Sequence, residues 1–117
     1  ISVDTGPEII TGSTRMKAGT ATKLVLNMIS TATMIRLGKI YGNLMVDLKA
    51  VNDKLVDRGT RIIQQLTGLE YKVARQKLFD AGKSVKVAVV MVQNNCDRKS
   101  AEKLLSDADG FLRTVIG

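Results

Sequence analysis

Apolar residues recur three and four positions apart along the first half of the chain: Ala21, Leu24, Val25, Met28, Ile29, Ala32 and Ile35 form one stripe, with Asn27, Ser30, Thr31 and Thr33 mostly off it. That period predicts an amphipathic helix opening near Met16 to Gly19 and fading by Gly38. Tyr41-Gly42-Asn43 reads as a turn. A second helix is predicted over 44–68 on Leu44, Leu48, Val51, Leu55, Ile62, Ile63 and Leu66. Gly59 inside it costs up to about 1 kcal/mol relative to Ala, and Gly68 is its left-handed stop.

Beyond Leu69 the pattern shortens. Glu70 to Ala81 carries Tyr71, Ala74, Leu78 and Phe79 and is closed by Gly82. Ser84 is placed as the N-cap of a helix running to about Gln93 through Val85, Ala88, Val89 and Val92. Residues 85–92 would also suit a strand, but their alternation is brief and Gly82-Lys83-Ser84 favours a capped helix. Asn94 and Asn95 break the pattern, and Asp97 caps a third helix with Ala101, Leu104, Leu105 and Ala108. Gly110 ends that helix, and residues 111–116 form a last apolar turn.

Ahead of all this, Ile1-Ser2-Val3-Asp4-Thr5 alternates as a strand does. One strand cannot make a sheet, so the reading is the last strand of an α/β domain whose other strands precede Ile1. The alternative is an arm packed on the helices. The expected fold is mostly α. Residues 1–43 are the closing strand, loop and helix of an α/β domain, 44–68 a connecting helix and 69–117 a small three-helix domain. Fewer than about 50 residues are marginal alone, so that domain is expected to lean on helix 44–67 or on a second subunit.

Composition narrows the chemistry. The single cysteine, Cys96, cannot form a disulfide within one chain, which suits a reducing cytoplasm. With no histidine, a lone cysteine builds no zinc site. No metal or other cofactor is expected. No apolar run approaches the roughly 18 residues of a membrane helix, so no membrane partner is expected. The 117 residues carry 18 Lys plus Arg against 11 Asp plus Glu, net +7. The excess is spread along both halves, and two Tyr, two Phe and no Trp offer little for base stacking. A solvated basic surface fits better than nucleic-acid binding.

The densest chemistry lies in Gly6-Pro-Glu-Ile-Ile-Thr-Gly-Ser-Thr-Arg-Met-Lys-Ala-Gly-Thr-Ala-Thr-Lys23, which runs straight into the first helix. Gly12 lets the backbone turn. Ser13 and Thr14 supply hydroxyl donors, Lys17 charge, and Arg15 a fork for phosphate or carboxylate. A helix N-terminus favours an anion. Neither the Walker spacing nor Gly-x-Gly-x-x-Gly is present, so ATP is not indicated. Ordinary N-capping by the same hydroxyls stays open beside the anion site. Glu8, the only acid in the loop, is read as an ion-pair partner of Arg15 in preference to a general acid or base. Tyr41, Asn43 and Asp47 would either line a site or serve as capping and solvated residues. Cys96 is read as a bystander.

This loop, from Gly6-Pro7-Glu8 through Thr11-Gly12-Ser13-Thr14-Arg15-Met16-Lys17-Ala18-Gly19-Thr20 to Lys23, resembles the signature shared by the bacterial N-acetylmuramic acid 6-phosphate etherases and the animal glucokinase regulatory protein. The continuation through Leu24-Val25-Leu26-Asn27-Met28, Thr33 to Lys39 and Tyr41 to Asp47 is similar to the etherase branch in particular. The resemblance implies the end of a sugar isomerase (SIS) domain, followed by a small ubiquitin-associated-like helical domain. It implies a cytoplasmic, dimeric, metal-free lyase of cell-wall recycling. Such an enzyme splits the D-lactyl ether of N-acetylmuramic acid 6-phosphate into N-acetylglucosamine 6-phosphate and D-lactate. Ser13, Thr14, Arg15 and Lys17 match the part of the signature that borders the sugar-phosphate pocket. The catalytic glutamates of the family have no counterpart here and are expected upstream of Ile1, so the 117 residues alone are expected to be inactive. A non-catalytic sugar-phosphate sensor of the regulatory-protein type is the alternative.

Overall fold

The computed structural model describes residues 1–117 and divides them into two units, Ile1–Arg36 and Leu37–Gly117. The first unit has one element, α1 (Lys17–Arg36), close to the expected bounds. The expected strand at 1–5 does not form. A strand exists only by exchanging backbone hydrogen bonds with a neighbour, and this unit supplies none. The segment instead runs beside the helix as an arm: Ile1, Ser2, Val3 and Thr5 line a groove with Ala18, Ala21, Thr22, Val25 and Leu26. No residue of α1 is buried. Leu24, Met28, Ile29 and Ile35 are each half or more exposed, and Leu26, off that stripe, is exposed as well.

The second unit opens with a hairpin, β1 (Ile40–Tyr41) and β2 (Leu44–Met45), antiparallel with Tyr41 opposite Leu44. Gly42-Asn43 is its two-residue loop, with Gly42 at φ +58°. Four helices of the bundle follow as α2 (Asp53–Thr67), α3 (Tyr71–Asp80), α4 (Val85–Gln93) and α5 (Arg98–Asp107). The short α6 (Leu112–Ile116) makes a helix of the last apolar turn, so four helices rather than three lie beyond residue 69.

The helix predicted from residue 44 begins nine residues later, at Asp53. Residues 44, 46, 48 and 50 are apolar and alternate with the charged Asp47 and Lys49. That is the period of extended chain, and Val46 and Ala50 are fully buried. Leu44 and Leu48 belong to both periods, which is how the segment imitates a helix. The actual start is set by Asn52, whose side chain accepts from the Leu55 N–H at 2.9 Å. Ser84 and Asp97 cap α4 and α5 as expected, and Gly68 ends α2 at φ +72°.

α4 is the centre of this unit. Six successive residues, Val85 to Val90, are buried, because α2, α3, α5 and α6 all pack on it. A helix covered on every side loses its polar stripe, which is why its sequence also looked like a strand. Gly59 lets α2 come close: a Cβ there would lie 3.0 Å from Val85 and 3.3 Å from Leu78. Lys86, buried in this core, donates to the Gly110 carbonyl at 2.8 Å, with Asp47 at 3.6 Å. Asp47 in turn is paired with Lys39. No helix is long and apolar enough to cross a membrane.

Candidate functional site

The loop of residues 6–17 is shaped by its glycines and by one carboxylate. Gly6 and Gly12 sit at φ +64° and +82°, a region that L side chains avoid. The Gly6 N–H donates to Asp4 at 2.9 Å, and the Ser13 N–H closes a turn onto the Ile10 carbonyl at 3.0 Å. Glu8 then reaches forward to the start of α1. Its two oxygens accept from the N–H groups of Lys17 and Ala18, each at 3.0 Å. Lys17 answers from the other side, its ammonium donating to the Pro7 carbonyl at 2.9 Å.

Glu8 is therefore a helix cap supplied from nine residues away, and not an ion-pair partner of Arg15. The N–H groups of Ala18 and Lys17 hold its carboxyl below the usual carboxylate range, with the Lys17 charge adding to them. These are the first orphan donors of the helix, the ones that an incoming anion would have used. The chain's own carboxylate occupies them.

Of the four predicted site residues, Ser13, Thr14 and Arg15 stand together on the turn, and Lys17 begins the helix. Arg15 is exposed, and its Nε donates to the Ser13 hydroxyl at 3.3 Å. The terminal nitrogens of its guanidinium have no partner in the chain, and the Ser13 hydroxyl keeps its own proton to donate. Thr14 is exposed beside them. Its carbonyl would lie 3.9 Å from a Cβ on Gly19, so the turn rests on the first turn of α1. Arg15 and Ser13 can offer a fork and a hydroxyl to one oxyanion, and the exposed Thr14 lies between them in the chain. No cluster of side chains suited to a metal ion is formed.

The other residues singled out in the sequence belong to the second unit and are occupied there. The Tyr41 hydroxyl donates to the Gly117 carbonyl at 2.7 Å. Asn43 sits in the hairpin loop, and Asp47 lies between Lys39 and Lys86. Lys39 first, then the nearby Lys86, holds the Asp47 carboxyl below its ordinary value. Cys96 is half-buried, its Sγ 3.9 Å from the Val90 carbonyl.

No family model matches the chain. Curated relatives cover nearly all of it. The N-acetylmuramic acid 6-phosphate etherase of Oceanobacillus iheyensis is 58% identical over 97% of this chain and 38% of its own length. That of Mycolicibacterium smegmatis is 54% identical over the whole chain and 39% of its own length. That of Clostridium acetobutylicum is 57% identical over 95% of the chain and 37% of its own length. The chain thus spans about two-fifths of the length of these relatives and matches their C-terminal portion.

Proposed function

We propose that this chain, alike in sequence to the C-terminal portion of the N-acetylmuramic acid 6-phosphate etherases, supplies one wall of the sugar-phosphate site in an enzyme of that activity. The observation that carries the reading is the 58% identity over 97% of the chain, which includes a loop presenting Ser13, Thr14 and Arg15 around an uncommitted guanidinium. The complete protein would be a carbon–oxygen lyase acting on N-acetylmuramic acid 6-phosphate and releasing D-lactate and N-acetylglucosamine 6-phosphate. The proton next to the ring-opened C1 aldehyde leaves, lactate departs from C3, and water adds to the unsaturated aldehyde. The acid and base for these steps are glutamates outside this chain. Ser13, Thr14, Arg15 and Lys17 border the substrate, with Arg15 and the two hydroxyls facing it.

In this reading the segment up to Arg36 closes a SIS domain, and residues 37–117, the hairpin and the connection of 44–68 included, belong with a small ubiquitin-associated-like helical domain. The connection folds with the helical part, since α2 packs on α3 and α4. The protein works as a homodimer in the cytoplasm, with no nucleic-acid or membrane partner. The test compares the full-length protein with the 117-residue chain on the sugar phosphate, reading D-lactate. Release by the full-length protein and none by the chain is expected. Turnover by the chain would overturn its inactivity, and no release by the full-length protein would overturn the activity itself.

A further inference from the structure

We propose that Glu8 is a positioning residue, and that Glu8 and Lys17 act as one clamp which orders Ser13-Thr14-Arg15 for the sugar phosphate. The proposal rests on the reading above and divides its four loop residues into two kinds. Three bonds join the segment Pro7-Glu8 to the first residues of α1: Glu8 to the Lys17 N–H, Glu8 to the Ala18 N–H, and the Lys17 ammonium to the Pro7 carbonyl. They close a loop of which residues 9–16 are the span. The turn Ile10–Ser13 and the Arg15–Ser13 bond lie inside that span. Nothing else in the first unit fixes both ends of it.

The clamp has two consequences for a ligand. A carboxylate already satisfies the first two donors of α1, so a phosphate placed there would meet negative charge. Its partners are then the groups left free, which are the Arg15 fork and the hydroxyls of Ser13 and Thr14. Lys17 commits one of its three ammonium donors to Pro7, and in this proposal it acts on the ligand through the shape of the loop that this bond holds.

The test is a double-mutant cycle in the full-length protein, with Glu8→Gln and Lys17→Met assayed on N-acetylmuramic acid 6-phosphate. Gln keeps the size of Glu but offers one acceptor oxygen, and turns an NH2 toward the second amide. Each single variant is expected to raise KM about tenfold, the scale of one lost charge-assisted hydrogen bond, with kcat changed less than about twofold. The double variant is expected to be no worse than either single one, because both break the same clamp. Effects that multiply would show Lys17 contacting the ligand independently and would overturn the proposal. A collapse of kcat in Glu8→Gln with KM unchanged would make Glu8 part of the chemistry and overturn it too. Amide exchange at Lys17 and Ala18 provides a readout that needs no turnover. Glu8→Gln should speed exchange at both, and unchanged protection would remove the clamp even if the wild-type protein proved to have no etherase activity.

Discussion

A carboxylate that takes two backbone N–H groups with one side chain has a definite pH signature. Glu8 is held below its ordinary value in the folded protein by the Ala18 and Lys17 amides. Its contribution to the first turn of α1 is therefore complete above the unfolded carboxyl's value and is lost as the pH falls through the lower folded value. Amide exchange followed by NMR from neutral to acid should show Lys17 and Ala18 losing protection together, and Glu8→Gln should flatten that dependence. None of this was legible from the loop. Capping signals read from sequence span three or four residues, and Glu8 lies nine before Lys17. Arg15 and Ser13 were singled out by residue type alone; the bond between them was not foreseen, since the partner expected for Arg15 was Glu8. Another residue-scale test concerns Gly38. It sits at φ +64° with the Phe111 ring 3.0–3.2 Å from where a Cβ would stand. Gly38→Ala should destabilise the second unit by about 1–3 kcal/mol, read as a lowered midpoint in urea.

Among the elements, the helices with a local start signal were placed within a residue or two. Ser84 and Asp97 begin α4 and α5, and Gly68 and Gly82 stop α2 and α3, because each device acts on the backbone beside it. The stretch 44–52 was misread because Leu44 and Leu48 satisfy a helical and an extended period alike. The deciding facts, burial of Val46 and Ala50 and the bond from the Ala50 N–H to Lys83, are tertiary. The caps should also differ in strength. Asn52 accepts at 2.9 Å and Ser84 at 3.5 Å, so Asn52→Ala should cost about 1 kcal/mol and Ser84→Ala less. Paired denaturant melts of the two variants would check the order.

At the scale of the whole molecule the two units differ in how far each buries its apolar residues. The second buries a continuous core around α4 and secures its one buried ammonium. Lys86→Met, which keeps the stem but leaves the Gly110 carbonyl and Asp47 without that donor, should cost about 1–3 kcal/mol, seen as a lower melting temperature. The first unit leaves the α1 stripe bare. The 117 residues expressed by themselves should self-associate through it, and Met28→Lys, which puts a charge mid-stripe, should weaken that association. Sedimentation across a concentration series would check both, and a clean monomer at high concentration would count against the idea. Which part of the chain needed a partner was readable from the stripe, whereas what covers it lies beyond any pattern within the chain.

The division into units also decides what light can report. Tyr41, Tyr71, Phe79 and Phe111 are the only aromatic residues, and all four fall after Arg36. Near-ultraviolet absorbance, intrinsic fluorescence and near-ultraviolet dichroism therefore follow the second unit alone. The loop of residues 6–17 and α1 carry no aromatic side chain of their own. A tryptophan placed on the outer side of α1 would give the first unit a voice of its own.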